Sequence, residues 1–293
     1  MGRDLYEDSP SAKAIFDRAD SELGFSLSRL CFEGPEEELK RTINAQPALV
    51  TMSYACLEAA RESAPHALPP AAFAAGHSVG EYTALAAAGV FDFATAVHLA
   101  RERGRLMYEA GLVKPGTMFA IIGMDEAPLT EVCRETGAWI ANINCPGQIV
   151  ISGEIEKVKK GAELSKSKGA KYAIPLQVSG AFHSPLMQPA VDGMSRAFSA
   201  KPFNRPAIPV VGNTGPQILD SAESVRAELL EQLCHCVQWQ RSIEYMVSQG
   251  VSTFIEIGPG EVLSGLIGRI NREARTMNLG DAQGIESLAH QEA

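Results

Sequence analysis

The stretch Gly76-His77-Ser78-Val79-Gly80-Glu81-Tyr82 constrains the fold more than any other part of this sequence. It has the form Gly-x-Ser-x-Gly, in which a serine lies on a sharp turn between a strand and a helix. The apolar residues 71–75 predict the strand, and the alanine-rich residues 84–88 predict the helix. We expect both glycines to remove side chains that would clash in the turn. The hydroxyl would then lie at a helix N-terminus, near free backbone N–H groups.

The motif alone is common, so a chance match is the alternative to a nucleophilic serine. The chain has 293 residues, 45% of them hydrophobic, which suffices for one large α/β domain with an inserted lobe. Its net charge of −9 and the lack of a Lys/Arg stripe argue against a nucleic-acid partner. The N-terminus lacks the apolar core of a signal peptide, and no apolar run approaches the ~18 residues of a membrane span. These features predict a cytoplasmic protein that contacts no membrane.

Six cysteines are scattered along the chain, which is too large to need disulfides. Only Cys234-His235-Cys236 resembles a metal-binding cluster. Its residues lie too close together for the usual zinc spacings, and no second Cys/His pair accompanies it. We therefore expect no metal site.

The section from Thr117 to Val178 differs from its surroundings. It predicts a strand, a helix, two strands joined by a turn at residues 144–147, a helix and a last strand. This β-α-β-β-α-β order is the ferredoxin-like pattern. We therefore expect a large α/β domain, a ferredoxin-like insert and a loose polar tail. Their boundaries are residues 1–116 and 180–270 for the large domain, 117–179 for the insert and 271–293 for the tail.

A serine hydroxyl needs a base to take its proton, and six histidines are available. His66 is expected in a polar loop, and His98 on the polar side of a helix. His235 lies among cysteines, and His290 lies in the tail. His77 is next to Ser78, but in a tight turn its side chain would point away from the nucleophile. His183 remains, where the chain leaves the insert. A structural histidine is an equal alternative, and a Ser–His dyad oriented by a backbone carbonyl is as well supported as a triad.

An arginine is the next candidate. On the helix that begins near Asp92, Arg103 lies nearer the apolar face than Arg101 or Arg105. An inward-facing arginine needs an anionic partner, which is either a protein carboxylate or a substrate. The residues alone slightly favour a structural salt bridge.

Six motifs follow one another from Met1 to about Ile270, namely GHSVGEY, RERGRLM, NCPGQIVISG, VSGAFHSPLM, VQW and IEIGPG. Taken together and in this order, they resemble the motifs of the malonyl-CoA:acyl-carrier-protein transacylase family. The resemblance implies an α/β hydrolase-like large domain with a ferredoxin-like insert. It also implies malonyl-CoA and acyl carrier protein as partners, no cofactor beyond the coenzyme A thioester substrate, and a monomer.

The resemblance also implies roles for single residues. Ser78 would be the nucleophile that becomes malonylated, and His183 its general base. Arg103 would bind the malonyl carboxylate through a bidentate fork. Val79 would supply one oxyanion N–H, and the backbone carbonyl of Gln238 would orient the histidine. The stretch of residues 180–183 resembles malonyl-selective rather than methylmalonyl-selective acyltransferases.

One departure from the family pattern is visible. Family members begin with a strand and a Gly-Gln-Gly-x-Gln loop, just upstream of what matches residues 1–6, and this sequence does not contain them. We expect that the true start lies upstream or that the product is truncated. Three alternative functions stay open. The first is an acyltransferase of a polyketide or malonate pathway, and the second is an inactive carrier-protein or acyl-CoA binding module, which the missing loop makes plausible. The third is a serine esterase, which would give Arg103 no role.

Overall fold

A computed structural model describes residues 1–64 and 68–290 of the chain. The helices are α1 (Arg3–Asp8), α2 (Pro10–Leu23), α3 (Leu27–Glu33), α4 (Glu36–Lys40), α5 (Thr42–Ser63), α6 (Gly80–Ala87), α7 (Phe93–Val113), α8 (Glu126–Thr136), α9 (Ile155–Ser167), α10 (Gln188–Ser199), α11 (Ala222–Cys234), α12 (Trp239–Ser248), α13 (Val262–Ile270) and α14 (Ala282–His290). A short 3-10 helix (Pro185–Met187) precedes α10. The strands are β1 (Ala74–Ala75), β2 (Gly116–Ile122), β3 (Trp139–Cys145), β4 (Gln148–Glu154), β5 (Tyr172–Pro175), β6 (Val210–Val211), β7 (Ile218–Leu219), β8 (Thr253–Ile257) and β9 (Arg275–Leu279).

Within the described ranges, the strands form three small sheets in a mixed α/β architecture. β1 pairs in parallel with β6, and β6 pairs antiparallel with β7. A second sheet is antiparallel and has the order β3-β4-β2-β5. β8 and β9 form a parallel pair. Among the described residues, no helix is both long and apolar enough to cross a membrane.

The second sheet contains the elements that the sequence predicts for residues 117–178. Strand, helix, two strands, helix and strand follow one another in the expected order. Leu129 of α8, Ile151 of β4 and Val158 of α9 are all buried in one apolar cluster. Both helices thus pack their apolar faces against the sheet. After β5 the chain leaves the sheet and continues through residues 176–183.

The large helical core joins the elements that hold the site. α5 and α7 pack against each other along their length, and α2 and α10 pack against α7. Phe16, Met52, Leu99 and Met194 are buried at these contacts. α7 begins at the Asp92 cap, whose carboxylate accepts a hydrogen bond from Thr95 N–H at 2.8 Å. These contacts fix the position of α7, which carries one candidate site residue.

The C-terminal residues do not form the loose tail that the sequence predicts. β9 pairs with β8 over its whole length, and α14 packs against α5. Leu279, Ile285 and Leu288 are buried there. These apolar residues are separated by polar neighbours, so the sequence does not show a periodic apolar pattern. They are buried only because β8 and α5 lie against them in the folded protein. His66 and the predicted tail positions 291–293 lie outside the described residues.

At Gly104 the α7 backbone lies close against the start of α5, and this contact leads to a stability prediction. A Cβ at Gly104 would lie 2.6 Å from the carbonyl oxygen of Thr42 and 2.9 Å from Ile43 Cα. Gly104→Ala should therefore destabilise the protein by about 1–3 kcal/mol, despite the better helix propensity of alanine. The control is Gly268→Ala in α13, where an added Cβ meets no described atom within 4 Å.

The control variant should gain roughly 0.5–1 kcal/mol, because alanine is the better helix former and nothing obstructs it. Urea denaturation of both variants measures the free energies of unfolding. A Gly104→Ala variant as stable as the wild type would show that α5 and α7 separate at little cost, contrary to this packing.

Candidate active site

Ser78 lies on the turn between β1 and α6, as the Gly-x-Ser-x-Gly motif predicts. Its φ of 52° is left-handed, a conformation that residues other than glycine rarely adopt. A Cβ at Gly76 would lie 2.1 Å from the carbonyl carbon of Gly80, so only glycine fits there. At Gly80 an added Cβ meets no described atom within 4 Å. The expectation of crowding is therefore correct for Gly76 and wrong for Gly80.

The Ser78 hydroxyl is paired with His183, as the order of motifs suggests. The distance from Ser78 Oγ to His183 Nε2 is 2.8 Å, and His183 Nδ1 lies 2.7 Å from the carbonyl oxygen of Gln232. A carbonyl oxygen only accepts hydrogen bonds, so Nδ1 carries the proton of the neutral ring. Nε2 is then free to accept the hydroxyl proton. His183 also has a left-handed backbone, with a φ of 55°.

The carbonyl that orients His183 belongs to Gln232, and the prediction of Gln238 is wrong. The Gln238 carbonyl accepts hydrogen bonds from Ser242 N–H at 3.1 Å and from Ser242 Oγ at 3.3 Å instead. Gln232 lies in the last turn of α11, where backbone carbonyls have no partner within the helix. That free carbonyl is available to the imidazole. The sequence predicts a helix from Ser221 to Leu233, and the position of Gln232 at the end of that helix was the signal that could have identified it.

Arg103 is buried in α7, with 1% of its surface exposed, whereas Arg101 and Arg105 are half-buried. The helical-face prediction is thus confirmed. Its Nη1 donates to Gln46 Oε1 at 2.7 Å. Its Nη2 donates to Gln232 Oε1 at 2.7 Å and to Ser78 Oγ at 3.1 Å.

No described carboxylate forms an ion pair with Arg103. Two neutral side-chain amides, from Gln46 and Gln232, hold the guanidinium instead. The structural salt bridge that the residues alone slightly favoured is therefore not observed within the described chain. A buried cation without a directly bonded counter-charge faces the nucleophile, which is an arrangement suited to an anionic ligand.

The surroundings keep His183 neutral. Burial, together with the positive charge of Arg103, lowers the pKa of His183 to about 3. Burial raises the pKa of the Glu81 carboxyl well above its ordinary value, and the charge of Glu228 raises it further. The site thus combines a neutral imidazole with a buried guanidinium.

The backbone N–H of Val79 lies where it could donate a hydrogen bond to an oxygen that becomes negatively charged during attack by Ser78. Val79 caps the N-terminus of α6 and lines the same cavity as Ser78. Within the described chain, no group accepts a hydrogen bond from Val79 N–H. The Ser78 N–H, by contrast, donates to Asn213 Oδ1 at 2.8 Å. Val79 therefore offers the free backbone donor next to the nucleophile.

A cavity of about 520 Å³ opens onto Ser78, Val79 and Arg103. Apolar side chains form much of its wall, namely those of Leu49, Met107, Leu176, Val178 and Phe182. Lys40 and Arg41 lie in its lining beside Glu37. The cavity suits a ligand with an extended neutral arm and a charged end that reaches Arg103.

Three other candidates from the sequence, His77, Cys234 and Cys236, bond to partners away from Ser78 Oγ. His77 Nε2 is 2.9 Å from Asn144 Oδ1, so the side chain points away from Ser78 Oγ as predicted. Cys234 Sγ and Cys236 Sγ contact Gln188 Oε1 and the Val237 carbonyl. Among the side chains that the structure describes, no three of His, Cys, Asp or Glu are grouped as metal ligands.

Sequence reasoning missed the amides that surround the site. Gln46, Gln232 and Asn213 are buried, and each of them bonds to Arg103 or to the backbone of Ser78. Neutral amides have no diagnostic spacing, because they are brought together from distant parts of the chain. Their one sequence signal is a polar residue on an otherwise buried helix face, as at Gln46 in α5.

The chain is similar in sequence to two curated transacylases. It is 46% identical to a malonyl CoA-acyl carrier protein transacylase of Bacillus subtilis (strain 168), covering 98% of this chain and 90% of that protein. It is 42% identical to the protein of the same name from Escherichia coli (strain K12), covering 92% and 88%.

The chain is also similar to solved structures of malonyl transferases. The acyl-carrier-protein-S-malonyltransferase of Bartonella henselae superposes with a TM-score of 0.94 and 38% identity, over 99% of this chain and 94% of that one. A malonyl-transacylase in complex with a type II PKS acyl-carrier protein also has a TM-score of 0.94 and 38% identity, with the same coverage. The family model of the acyl transferase domain matches residues 1–282, and the chain is therefore a member of that acyltransferase family.

Proposed function

We propose that this enzyme transfers the malonyl group of malonyl-CoA to the phosphopantetheine thiol of acyl carrier protein, through a malonyl ester on Ser78. The observation that carries the proposal is the buried Arg103, whose Nη2 lies 3.1 Å from Ser78 Oγ while no described carboxylate pairs with it. A group that reacts at the serine and bears a carboxylate fits both. The names of the similar proteins support the same substrate and acceptor.

Acylation of Ser78 begins with proton transfer. His183 Nε2 takes the hydroxyl proton as Oγ attacks the thioester carbonyl carbon, and the oxygen of the tetrahedral intermediate accepts a hydrogen bond from Val79 N–H. The carbon–sulfur bond then breaks, and His183 returns the proton to the coenzyme A thiolate. The second half repeats these steps in reverse, with the phosphopantetheine thiol attacking the malonyl ester.

Arg103 would select the acyl group by charge. Nη1 donates one hydrogen to Gln46, which leaves its second hydrogen for the substrate. Nη2 donates to Gln232 and to Ser78 Oγ, and the latter bond can pass to a carboxylate oxygen once Oγ is esterified. A neutral acyl group leaves the buried guanidinium unpaired, which disfavours acetyl transfer.

We also propose that the fold is an α/β hydrolase-like domain with a ferredoxin-like insert. The proposal further includes a cytoplasmic location, a monomeric state and no cofactor beyond the coenzyme A thioester substrate. The sheet order β3-β4-β2-β5 with α8 and α9 supports the insert.

A polyketide pathway is the second candidate, because one similar structure is a malonyl-transacylase bound to a type II PKS acyl-carrier protein. The chemistry at Ser78 is the same in both pathways, so the carrier protein that accepts malonyl fastest distinguishes them. The paired Ser78 and His183 argue against an inactive binding module, and the buried Arg103 argues against an esterase of neutral esters.

The first prediction for the active site concerns the nucleophile. Ser78→Ala should form no malonyl ester with malonyl-CoA, and it should stay folded because only a hydroxyl is lost. His183→Ala should acylate about 10²–10⁴-fold more slowly, which is the usual contribution of a general base. Intact-mass spectrometry after incubation with malonyl-CoA, with and without acyl carrier protein, measures both. The control is Ser199→Ala, an exposed serine of α10; wild-type labelling of Ser78→Ala would end the assignment.

The second prediction concerns substrate choice. In Arg103→Ala, the transition state for malonyl transfer should lose stabilisation on the order of 2–5 kcal/mol. The variant should gain relative activity toward acetyl-CoA. Arg103→Lys should recover only part of this, because lysine keeps the charge without the fork. The control is Arg105→Ala, since Arg105 pairs with Glu102 and Glu109 at the surface. An unchanged malonyl preference in Arg103→Ala would assign Arg103 a purely structural role.

The third prediction concerns pH. Because burial and Arg103 lower the pKa of His183 to about 3, the base stays neutral in the mildly acidic range. The single-turnover acylation rate should therefore be level between about pH 5 and pH 7, where a histidine with the ordinary pKa of about 6.5 would lose up to tenfold per unit. Rapid-quench mass spectrometry provides the profile. A tenfold fall per unit below about pH 6.5 would contradict the buried, neutral state of His183.

A further inference from the structure

Asn213 lies against the turn that carries Ser78 and contacts it on both sides. Its Oδ1 accepts a hydrogen bond from Ser78 N–H at 2.8 Å, and its Nδ2 donates to the Gly76 carbonyl at 2.8 Å. One carboxamide thus bridges the two peptide groups that flank the bend. Asn213 is 2% exposed, so bulk water does not compete for these bonds.

The bridged turn holds Ser78 in its left-handed conformation, with a φ of 52°. A residue other than glycine stays in this region only where its surroundings impose it. Asn213 bonds to the N–H of Ser78 itself and to the carbonyl of Gly76 two residues earlier. It therefore fixes the N-terminal side of the turn, while Gln232 Nε2 donates to the Ser78 carbonyl on the other side.

Asn213 is itself held by a buried carboxylate. Glu228 Oε1 accepts hydrogen bonds from Asn213 N–H at 2.6 Å and from Thr214 N–H at 2.8 Å. Glu228 Oε2 accepts from Thr214 Oγ1 at 2.6 Å and from Gln217 Nε2 at 2.9 Å. One turn later along α11, Gln232 orients His183. The same helix therefore fixes the loop behind the nucleophile and the base in front of it.

We propose that Asn213 is the positioning residue of the nucleophile. Its carboxamide holds the Ser78 backbone so that Oγ points to His183 Nε2, and it occupies the Ser78 N–H, which leaves the acyl oxygen to Val79 N–H. Asn213 bonds the backbone of Ser78 and acts only through it. The catalytic part of this inference rests on the proposed acylation of Ser78, whereas the backbone clamp can be tested without it.

The kinetic test compares Asn213→Ala with the wild type. The variant should acylate Ser78 on the order of 100-fold more slowly, because a small displacement of a reacting atom has an effect of that size. The KM for malonyl-CoA and the malonyl-over-acetyl preference should not change, since Arg103 and its two glutamines are untouched. The control is Asn204→Ala, an exposed asparagine whose Nδ2 also donates to a backbone carbonyl, that of Gly89.

Asn213→Asp is the second variant, because its ionised carboxylate keeps the shape and the acceptor for Ser78 N–H but has no hydrogen to donate to the Gly76 carbonyl. It should also slow acylation at constant KM. A wild-type rate in either variant, or a slower rate with an equal rise in KM, would overturn the proposal.

A stability comparison needs no activity at all. Glycine is unstrained at the Ser78 φ, so Ser78→Gly should melt at a higher temperature than Ser78→Ala. That difference should shrink when Asn213→Asp is also present, because the turn is then less constrained. An equal difference in both backgrounds would show that the turn keeps its conformation without Asn213, which would overturn the clamp. If the wild type is not malonylated on Ser78, the proposed function fails while this comparison still decides the clamp.

Discussion

The hydrogen bond between His183 Nδ1 and the Gln232 carbonyl determines the chemistry of the whole site. It places the ring proton on Nδ1, so the lone pair of Nε2 faces the Ser78 hydroxyl at 2.8 Å. A backbone carbonyl also has no formal charge. A carboxylate in that position would compete for the nearby guanidinium of Arg103, whereas the carbonyl leaves this cation available to a substrate. The choice of a carbonyl as the orienting group is therefore consistent with selection of an anionic acyl group.

Gln232 connects the three functional side chains. Its Oε1 accepts from Arg103, its Nε2 donates to the Ser78 carbonyl and to Glu81, and its backbone oxygen accepts from His183. Because Nε2 is used by two acceptors, Oε1 must face the guanidinium. The amide orientation is thus fixed by its neighbours. One residue in the last turn of α11 sets the positions of nucleophile, base and arginine together.

The sequence predicted the parts of this site that depend on local patterns. Ser78 followed from the Gly-x-Ser-x-Gly turn, and the burial of Arg103 followed from the helical face of α7. Local periodicity also predicted the order of elements from β2 to β5. The error at Gln238 and the missed Gln46 and Asn213 have a common cause, since these contacts join residues far apart in the chain. The same holds for β9 and α14, whose apolar positions find partners only in the folded protein.

The site depends on a neutral His183, protonated on Nδ1, that faces Ser78 beside the buried cation of Arg103. Nitrogen NMR of imidazole-labelled protein, compared with His183→Gln to assign the signal, tests it most directly. We expect the neutral Nδ1–H tautomer from about pH 5 to pH 8, because the pKa of His183 is lowered to about 3. An imidazolium signal at about pH 6, or a neutral ring protonated on Nε2, would contradict it.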